Sequence, residues 1–470
     1  MPTREPRQVL IAGGGVAALE TLLALRSLAG DRVEITLLCP SDEFVYRPVT
    51  VAEAFGRGEA RTYNLSELVT EAGGDRIITD ALASVASRKI AVTKSGERIP
   101  FDVLVVATGA HPIEPFPGAL TFRGRQDVPA LRALLDELTR GEARSLAFAL
   151  PAERMWSLPL YELALLTAAY LRERGAGAEL TLVSPEEEPL ALFGPKAGQA
   201  ILSLLHDRAI RTRFSSLPAA VRARALVFAG SGSVFADRVL TLPLLRGVGL
   251  RGLPHDRDGF IPVDLYGRVR GMRDVYVAGD ASAFPLKQGG LAAQQADAVA
   301  EAIAAEVGAN VRPKPFSPVL RGLLLTGGAP LYLRSEPHRL ERTATVATDA
   351  PARKGHSDHA LAAGTALWWP PAKIAGRYLS RYLATARPNP LDSRLLSDRD
   401  PIPGRPLDEA EFEDAVELSL LLAECDAKWG DYSSALNALA SAEALTGALP
   451  SFYEERRRQW LAAEHTGTFV

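Results

Sequence analysis

Cysteine is scarce in this sequence: Cys39 and Cys425 are the only two among 470 residues. No C-x-x-C pair occurs, which argues against a disulfide framework, a four-cysteine zinc site, an iron–sulfur cluster and a dithiol relay. An excess of charge of one sign is also missing, because 53 Lys and Arg oppose 56 Asp and Glu, giving a net charge of −3. We therefore expect no nucleic-acid partner, since such proteins are usually strongly basic.

Long apolar runs are missing as well. The charged start at Arg4 to Arg7 leads almost directly into glycines, so we expect no signal peptide. The longest apolar stretch, Leu158 to Leu171, contains Glu162 and is shorter than the ~18–20 residues of a spanning helix. With 47% hydrophobic and 23% charged residues, the composition is that of a globular protein of several domains. We expect a cytoplasmic location.

A glycine-rich turn follows the first predicted strand. That strand covers Gln8–Ala12, and the predicted helix Leu19–Leu28 and strand Val33–Leu38 come after it. The spacing G-x-G-x-x-A between the first strand and the helix is the dinucleotide-binding fingerprint in its proper context. Its glycines allow a tight turn and let a pyrophosphate approach the helix N-terminus. The predicted dinucleotide contacts are Gly13, Gly14, Gly15, Val16, Ala17 and Ala18.

One position departs from this fingerprint. The acidic residue that usually ends the second strand and binds the ribose is replaced by Cys39. Ser41, Asp42 or Glu43 would then supply the hydrogen bond. We predict that Cys39 lines the site as a buried strand-end residue, not as a reactive thiol.

Three further motifs follow in order: Phe-Val-Tyr-Arg-Pro at 44–48, Val-Leu-Val-Val-Ala-Thr-Gly-Ala at 103–110, and Val-Tyr-Val-Ala-Gly-Asp at 275–280. With the glycine turn, residues 7–335 resemble flavoproteins with two dinucleotide-binding domains, in the group of sulfide:quinone oxidoreductase, flavocytochrome c sulfide dehydrogenase and type II NADH dehydrogenase. The resemblance implies an α/β fold with two Rossmann-like three-layer domains and FAD in the first site. The residues that it implies for FAD binding are Arg47, Ala107, Thr108, Gly109, Gly279 and Asp280.

The last of these motifs is followed by Lys-Gln-Gly-Gly at 287–290, which opens a predicted helix over Leu291–Val307. A helix N-terminus beside a lysine suits the negative charge that reduced flavin carries near N1 and O2. Lys287 and Gln288 are therefore candidates for contact with the flavin, and Lys287 is a candidate catalytic residue. The alternative is a surface lysine beside a helix start.

A second unit repeats the dinucleotide-binding order without its glycines. A predicted helix (Val128–Leu138) precedes strand Ser145–Leu150, helix Leu158–Arg174 and strand Glu179–Val183. The turn over 150–160 contains prolines and bulky side chains and no glycine, so we predict a nicotinamide-type domain that binds NAD(P)H poorly. Type II NADH dehydrogenases keep this glycine loop, so the resemblance favours the sulfide dehydrogenase branch.

That branch reduces its flavin through cysteines, which this chain lacks between positions 39 and 425. Sulfide oxidation by the usual mechanism is therefore not expected. Glu162 lies where related flavoproteins place a glutamate facing the flavin. A carboxyl in an apolar helix often has a raised pKa and can pass protons to a quinone or substrate. Alternatively, Glu162 only stabilises the helix dipole.

The C-terminal third is less informative. We predict a strand–turn–strand over 321–334 and an exposed loop over 341–366, where His356-x-x-His359 lacks the carboxylates or cysteines of a metal site. Residues 367–383 predict an aromatic–proline turn that continues as an amphipathic helix, with Lys373, Arg377 and Arg381 on one face. This helix either lies on a membrane surface or packs on the flavin domain, and we favour packing. Beyond a Pro-rich linker, helices Glu411–Lys428 and Tyr432–Leu445 predict a docking or dimerisation hairpin.

The predicted domains are an FAD-binding domain in two parts (1–118 and 255–335), a nicotinamide-type domain (119–254), an interface segment (336–406) and a C-terminal helical hairpin (407–470). The predicted function is an FAD-dependent oxidoreductase that passes electrons from an unknown small-molecule donor to a quinone or protein acceptor. Two alternatives stay open: an NAD(P)H:acceptor oxidoreductase with an atypical nicotinamide site, and a catalytically quiet flavoprotein whose C-terminal helices recruit a partner.

Overall fold

The computed structural model describes residues 5–86, 89–336, 361–363, 372–385, 432–446 and 451–466, together with the single positions 367, 420, 423, 427 and 449. The His356-x-x-His359 pair, the Pro-rich linker and most of the predicted helix over 411–428 lie outside the described residues.

The described strands are, in chain order, β1 (Arg7–Ala12), β2 (Val33–Leu38), β3 (Glu43–Val45), β4 (Thr62–Asn64), β5 (Arg76–Ile78), β6 (Leu82–Ala86), β7 (Ile90–Thr93), β8 (Arg98–Pro100), β9 (Val103–Val106), β10 (His111–Ile113), β11 (Leu120–Thr121), β12 (Ser145–Ala149), β13 (Glu179–Val183), β14 (Ile210–Arg213), β15 (Pro218–Arg222), β16 (Ala225–Phe228), β17 (Ser233–Phe235), β18 (Arg238–Thr241), β19 (Leu244–Arg246), β20 (Val275–Val277), β21 (Leu320–Leu324), β22 (Leu331–Ser335) and β23 (Leu361–Ala363).

The α-helices are α1 (Val16–Ala29), α2 (Thr50–Glu53), α3 (Leu65–Glu71), α4 (Val128–Thr139), α5 (Leu158–Glu173), α6 (Gly194–Asp207) and α7 (Gly289–Glu306), with further helices at Leu379–Thr385, Tyr432–Thr446 and Ser451–Thr466. Short 3-10 turns cover Gly30–Arg32, Arg47–Val49, Arg125–Asp127, Ala191–Phe193 and Gly279–Ala281.

The first unit is built on a five-stranded parallel sheet with the order β20-β9-β1-β2-β5. Helices α1 and α7 pack on one face, and the antiparallel sheet β6-β7-β8 covers the other. In β1, Val9 and Ile11 face the helices, whereas Leu10 and Ala12 face the antiparallel sheet. Because both faces are covered, the strand is a continuous apolar run.

The second unit repeats this plan with the parallel order β11-β18-β12-β13-β14. In β12, Leu146 and Phe148 pack with α4 and α5, and Ala147 and Ala149 face the antiparallel sheet β15-β16-β17. Each unit therefore has three layers around a parallel sheet. The predicted α/β fold class with two Rossmann-like units is confirmed.

A further sheet, β21-β22-β23, lies against both units. Its first strand contacts α5 and α7, and the prediction of a strand–turn–strand over 321–334 is confirmed. The predicted exposed loop is wrong at 361–363, because these residues pair with β22 and extend the sheet by one strand.

The predicted amphipathic helix over 367–383 is also wrong in part, since its described residues are helical only at Leu379–Thr385. The physical reason lies in α1, where the Glu20 carboxylate accepts the N–H groups of Tyr378 and Leu379 and so caps the helix at its first turn. Residues 372–378 are irregular and packed, with Ile374 buried. Packing, the favoured alternative, therefore holds for this segment.

The C-terminal extension is helical in its longer described segments. Helix Tyr432–Thr446 confirms one half of the predicted hairpin, and it packs against Ser451–Thr466 through Leu439 and Trp460. The last helix was not predicted, because its Glu-Glu-Arg-Arg-Arg run at 454–458 obscures the apolar face. Within the described residues, no helix has the length and apolar character needed to cross a bilayer.

Candidate cofactor and substrate site

The carboxyl ends of three neighbouring strands converge. Beyond β1, β9 and β20 the chain stays hydrogen-bonded across the sheet: Ala107 N donates to Ala12 O at 2.7 Å, and Ala278 N donates to Val106 O at 3.1 Å. Parallel order places the three strand ends on one edge, which is where open α/β sheets bind ligands. The three sequence motifs that follow these strands are thereby brought together.

Two glycines make this close approach possible. Gly13 has φ +138°, and a Cβ there would lie 2.1 Å from Ala107 O. Gly279 has φ +73°, and a Cβ there would lie 3.0 Å from Ala17 Cβ. Both positions combine a backbone conformation that favours glycine with contact to a neighbouring motif.

The N-terminus of α1 lies beside the place where the ends of β1, β9 and β20 come together. Its N-cap residue, Gly15, makes no side-chain capping hydrogen bond, and a Cβ built there would meet nothing within 4 Å. Near Gly13, the Thr108 Oγ1 atom is buried without a hydrogen-bond partner among the described residues. Uncapped N–H groups and an unsatisfied hydroxyl suit an anionic ligand with several acceptor oxygens, as a dinucleotide pyrophosphate has. These residues fit FAD.

Cys39 lies beneath the glycine turn. A Cβ on Gly14 would lie 2.4 Å from its Sγ atom, and burial raises the pKa of the thiol. The side chain is buried, as expected of a strand-end residue, and supports the turn from below. Ser41 makes local hydrogen bonds with the Glu43 backbone, so the carboxylates of Asp42 and Glu43 are the exposed ribose-side candidates.

A cavity of about 410 Å³ lies between the two units. Candidate residues from separate parts of the sequence line it: Arg47, Glu162, Asp280, Lys287 and Gln288. Sequence reasoning missed its other wall, which is formed by Phe122, Met155, Trp156, Leu242, Leu323 and Ile374. The cavity is therefore apolar with a few charged groups, as small-molecule sites usually are.

Lys287 is largely buried in the wall of this cavity, which excludes the surface-lysine alternative. Its Nζ donates to Ser282 O and lies 3.9 Å from the centre of the Phe260 ring. Burial lowers the pKa of Lys287 to about 8, against the opposing attraction of Asp280. Burial likewise raises the pKa of Asp280, although Lys287 and Arg47 oppose this.

Gln288 lines the cavity and also has a structural role. Its side-chain oxygen accepts a hydrogen bond from Leu291 N at 2.8 Å, and its amide donates to Arg321 O at 3.1 Å. The side chain is thus the N-cap of α7 and ties the helix to β21.

Glu162 forms an internal ion pair. Its Oε1 accepts hydrogen bonds from Leu325 N at 2.9 Å and from Lys373 Nζ, and both side chains are nearly inaccessible. Its Oε2 is buried and has no partner among the described residues. Burial raises the pKa of Glu162 more than Lys373 and the Leu325 N–H lower it. A carboxylate in the second turn of α5 therefore does more than stabilise the helix dipole.

The sequence predicted that Lys373 shares one helix face with Arg377 and Arg381, whereas Lys373 lies before the helix and pairs with Glu162. Its partner is 211 residues earlier in the chain, so no local pattern indicates the pair. The only sequence signal is that Glu162 interrupts an otherwise apolar helix and needs a cation if it is buried and ionised.

The second unit holds a carboxylate of its own at the carboxyl edge of its sheet. Just beyond β13, Glu186 accepts hydrogen bonds from the hydroxyls of Ser157 at 2.9 Å, Tyr161 at 2.7 Å and Ser184 at 2.9 Å. We call these four residues the Glu186 cluster. It joins β13 to the N-terminus of α5, the place where this kind of unit binds an anionic nucleotide.

The comparisons with known proteins agree with this architecture. Residues 7–147 match the family model for pyridine nucleotide-disulphide oxidoreductases. No curated protein matches the sequence significantly. Among solved structures, the sulfide:quinone oxidoreductase of Aquifex aeolicus is similar, with TM-score 0.66 and 19% identity over 76% of this chain and 87% of that one.

Two other similar structures have different activities in their names. A ferredoxin reductase of Rhodopseudomonas palustris for the CYP199A2 system has TM-score 0.55 and 18% identity, covering 70% of this chain and 82% of that one. An NAD-dependent persulfide reductase of A. fulgidus has TM-score 0.52 and 17% identity, and the similarity covers 72% of this chain and 65% of that one. At these identities the likeness shows the fold, which these enzymes use for different reactions.

The close contact between Gly13 and the Ala107 carbonyl leads to a first prediction. Gly13→Ala forces a Cβ against the Ala107 carbonyl and should lower the free energy of unfolding by more than about 2 kcal/mol. The matched control is Gly15→Ala, which has open space and should change stability by less than about 0.5 kcal/mol. Chemical denaturation measures both, and equal stabilities for the two variants would contradict the steric argument.

The ion pair generates a second prediction. Lys373→Met leaves the Glu162 carboxylate buried without its cation, and should cost about 3 kcal/mol of stability. Because the pKa of Glu162 then rises further above its unfolded value, stability is retained at low pH and lost as pH rises. Denaturation at about pH 5 and about pH 8 should therefore show the larger loss at pH 8. The double variant with Glu162→Gln should regain most of the lost free energy of unfolding. A loss of stability in Lys373→Met that is independent of pH would contradict this account.

Proposed function

We propose that the protein is an FAD-dependent oxidoreductase that takes electrons from a donor other than a nicotinamide nucleotide and passes them to a quinone or protein acceptor. The observation that carries this proposal is the convergence of Gly13, Ala107 and Gly279 at one sheet edge, beside an uncapped helix N-terminus and a cavity with a buried lysine. The match of residues 7–147 to the disulphide oxidoreductase family supports it.

In this proposal FAD is held by residues of the first unit. The pyrophosphate would bind at the glycine turn and the α1 N-terminus, and Thr108 would donate to it or to an adjoining oxygen. Asp280 and Arg47 would meet the flavin half. When bound, FAD supplies the redox chemistry, which no side chain of the described site can supply alone.

The chain's own residues would set the charge and the proton supply around the flavin. Lys287 and the N-terminus of α7 stabilise negative charge at the cavity wall. The Glu162–Lys373 pair holds a proton donor and acceptor at the same cavity, with Glu162 Oε2 free of described partners. Met155 and Trp156 contribute apolar surface that limits water.

The Glu186 cluster supports a donor other than NAD(P)H. It fills the edge of the second unit beside the α5 N-terminus with an internal carboxyl that three hydroxyls already bind, so a nucleotide phosphate there would have to displace this hydrogen-bonded group. The turn over 150–157 adds bulky side chains, including Trp156, which packs edge-on against Phe193 at 5.9 Å. A quinone or a small redox protein as acceptor is consistent with the similarity to a sulfide:quinone oxidoreductase and a ferredoxin reductase.

The third prediction concerns the spectrum of the purified protein under anaerobic conditions. We expect flavin bands near about 370 and about 450 nm, and no bleaching of the longer band by NADH, NADPH or sulfide. Reduction with dithionite followed by a short-chain quinone should restore the band. A spectrum without flavin, after FAD has been added, would overturn the proposal, and rapid bleaching by NADH would favour a nicotinamide-dependent enzyme.

The fourth prediction tests Lys287. Lys287→Met removes a cation from the cavity wall and should lower the flavin midpoint potential, by roughly 30 mV for each tenfold loss in stability of the two-electron reduced form. A redox titration measures this. Lys196→Met, which replaces an exposed lysine of α6, is the control and should leave the potential unchanged. An unchanged midpoint potential in Lys287→Met would show that Lys287 does not lie near the flavin.

A further inference from the structure

A second cavity lies beside β20, the outermost strand of the first parallel sheet. Its volume is about 210 Å³, whereas an apolar cavity of about 150 Å³ already holds a benzene ring. We call it the edge cavity, and the residues that define it here are Val263, Leu265, Val277, Phe284, Gln295 and Phe316. Among the residues that the structure describes, none lines both this cavity and the one between the two units. The edge cavity is therefore a separate space.

Apolar side chains form most of the wall of the edge cavity. The rings of Phe284 and Phe316 pack edge to face, with their centroids 5.2 Å apart and an angle of 80° between their planes. Aromatic rings favour such offset or edge-to-face contacts, so a further ring is well placed against this pair. Phe284 and Val277 are buried, which makes these walls part of the folded core. The edge cavity is thus suited to a small aromatic molecule.

The charges at the edge of this wall are balanced. Asp264 and Arg270 both line the cavity, and both are exposed to solvent. One Asp264 oxygen already accepts hydrogen bonds from Tyr266 N and Arg268 N, each at 2.9 Å. Because the two side chains carry opposite charges, an ionised ligand gains little net attraction from them. The wall therefore favours an uncharged ligand.

One polar group of the wall lacks a partner. Gln295, in α7, is only 8% exposed, and its Oε1 accepts hydrogen bonds from Gly279 N at 2.8 Å and from the Ser282 hydroxyl at 3.3 Å. A backbone N–H can only donate, so this contact fixes which end of the amide faces Gly279. The Nε2 atom at the other end has no hydrogen-bond partner among the described residues. Leaving such a buried donor unpaired is unfavourable, and an acceptor oxygen in the cavity would satisfy it.

We propose that the edge cavity binds a small uncharged aromatic compound that carries one carbonyl oxygen. Its ring would pack on Phe284 and Phe316, and its oxygen would accept a hydrogen bond from Gln295 Nε2. Water is a poorer occupant, because a buried water molecule needs about two to four polar partners and these walls are mainly apolar.

This ligand is distinct from the electron donor and acceptor of the proposed function. The two cavities share no described lining residue, and the edge cavity is connected to the FAD contacts through Gln295 and its hydrogen bond with Gly279 N. The inference goes beyond the proposed function and holds whether or not the protein binds FAD.

The test is equilibrium dialysis of the full-length protein against acetophenone, which has one ring and one carbonyl oxygen. The dissociation constant at the edge cavity should lie below about 1 mM. Acetophenone can also enter the cavity between the units, so binding at the edge cavity is measured as the difference from Leu265→Trp, whose larger side chain fills the edge cavity. The matched control is Leu202→Trp, which changes an exposed leucine of α6 and should bind as the wild type does.

The hydrogen bond is tested with Gln295→Glu at about pH 8, where carboxyl groups are ionised. This variant keeps the acceptor for Gly279 N but replaces the Nε2 donor by an acceptor oxygen. Acetophenone should then bind the edge cavity about tenfold more weakly, as loss of one hydrogen bond predicts. Ethylbenzene, which has no carbonyl oxygen, should bind the variant and the wild type with affinities equal within about twofold.

Three results would overturn the proposal. The first is equal binding of acetophenone by Leu265→Trp and Leu202→Trp, and the second is an equal effect of Gln295→Glu on acetophenone and ethylbenzene. The third is tighter binding of benzoate than of acetophenone at the edge cavity, which would show that the ligand is an anion. If Leu265→Trp does not fold, Val263→Phe fills the same cavity from another part of its wall. Dialysis needs neither flavin nor turnover, so this result is separate from that of the redox experiments.

Discussion

The structure depends on how closely three strand ends approach one another. At the edge of the first sheet, the Ala107 carbonyl occupies the space where any side chain at position 13 would begin. A side chain at position 279 would likewise press against the Ala17 methyl group. Because this contact is made by backbone and methyl groups, the α1 N-terminus and the Thr108 hydroxyl are left for a ligand. The packing of these strand ends therefore fixes where the α1 N-terminus and the Thr108 hydroxyl lie relative to a ligand.

Buried charge is the second theme. In the first unit Glu20 accepts hydrogen bonds from two backbone N–H groups, and between the units Glu162 pairs with Lys373. In the second unit Glu186 is met by three hydroxyls. Each arrangement gives the buried carboxylate nearby hydrogen-bond donors or a cation, as a low-dielectric interior requires. The irregular course of residues 372–378 follows from two of these, because it brings Lys373 to one carboxylate and the Tyr378 N–H to another.

Much of the fold could be predicted from sequence, because local patterns determine it. The strands that end at Ala12 and Val183 and the helices that begin near Val128 and Leu158 are marked by apolar runs and turn residues. What the sequence could not show were contacts between distant segments. No residue near Lys373 in the sequence indicates that it pairs with Glu162, and none near Gln288 indicates that its amide reaches Arg321. The antiparallel sheets that cover both units were likewise missed, since their short strands follow no fingerprint.

The Glu186 cluster has a consequence for how such a protein can change over generations. Removing one hydroxyl, for example that of Tyr161, leaves a buried carboxylate with fewer donors, which is less stable than the intact cluster. Replacing Glu186 alone leaves three hydroxyls without their acceptor. Changing the cluster without loss of stability would therefore require several substitutions, each unfavourable until the others are present. Such mutual dependence is expected to keep the four residues of the cluster together as the rest of the sequence changes.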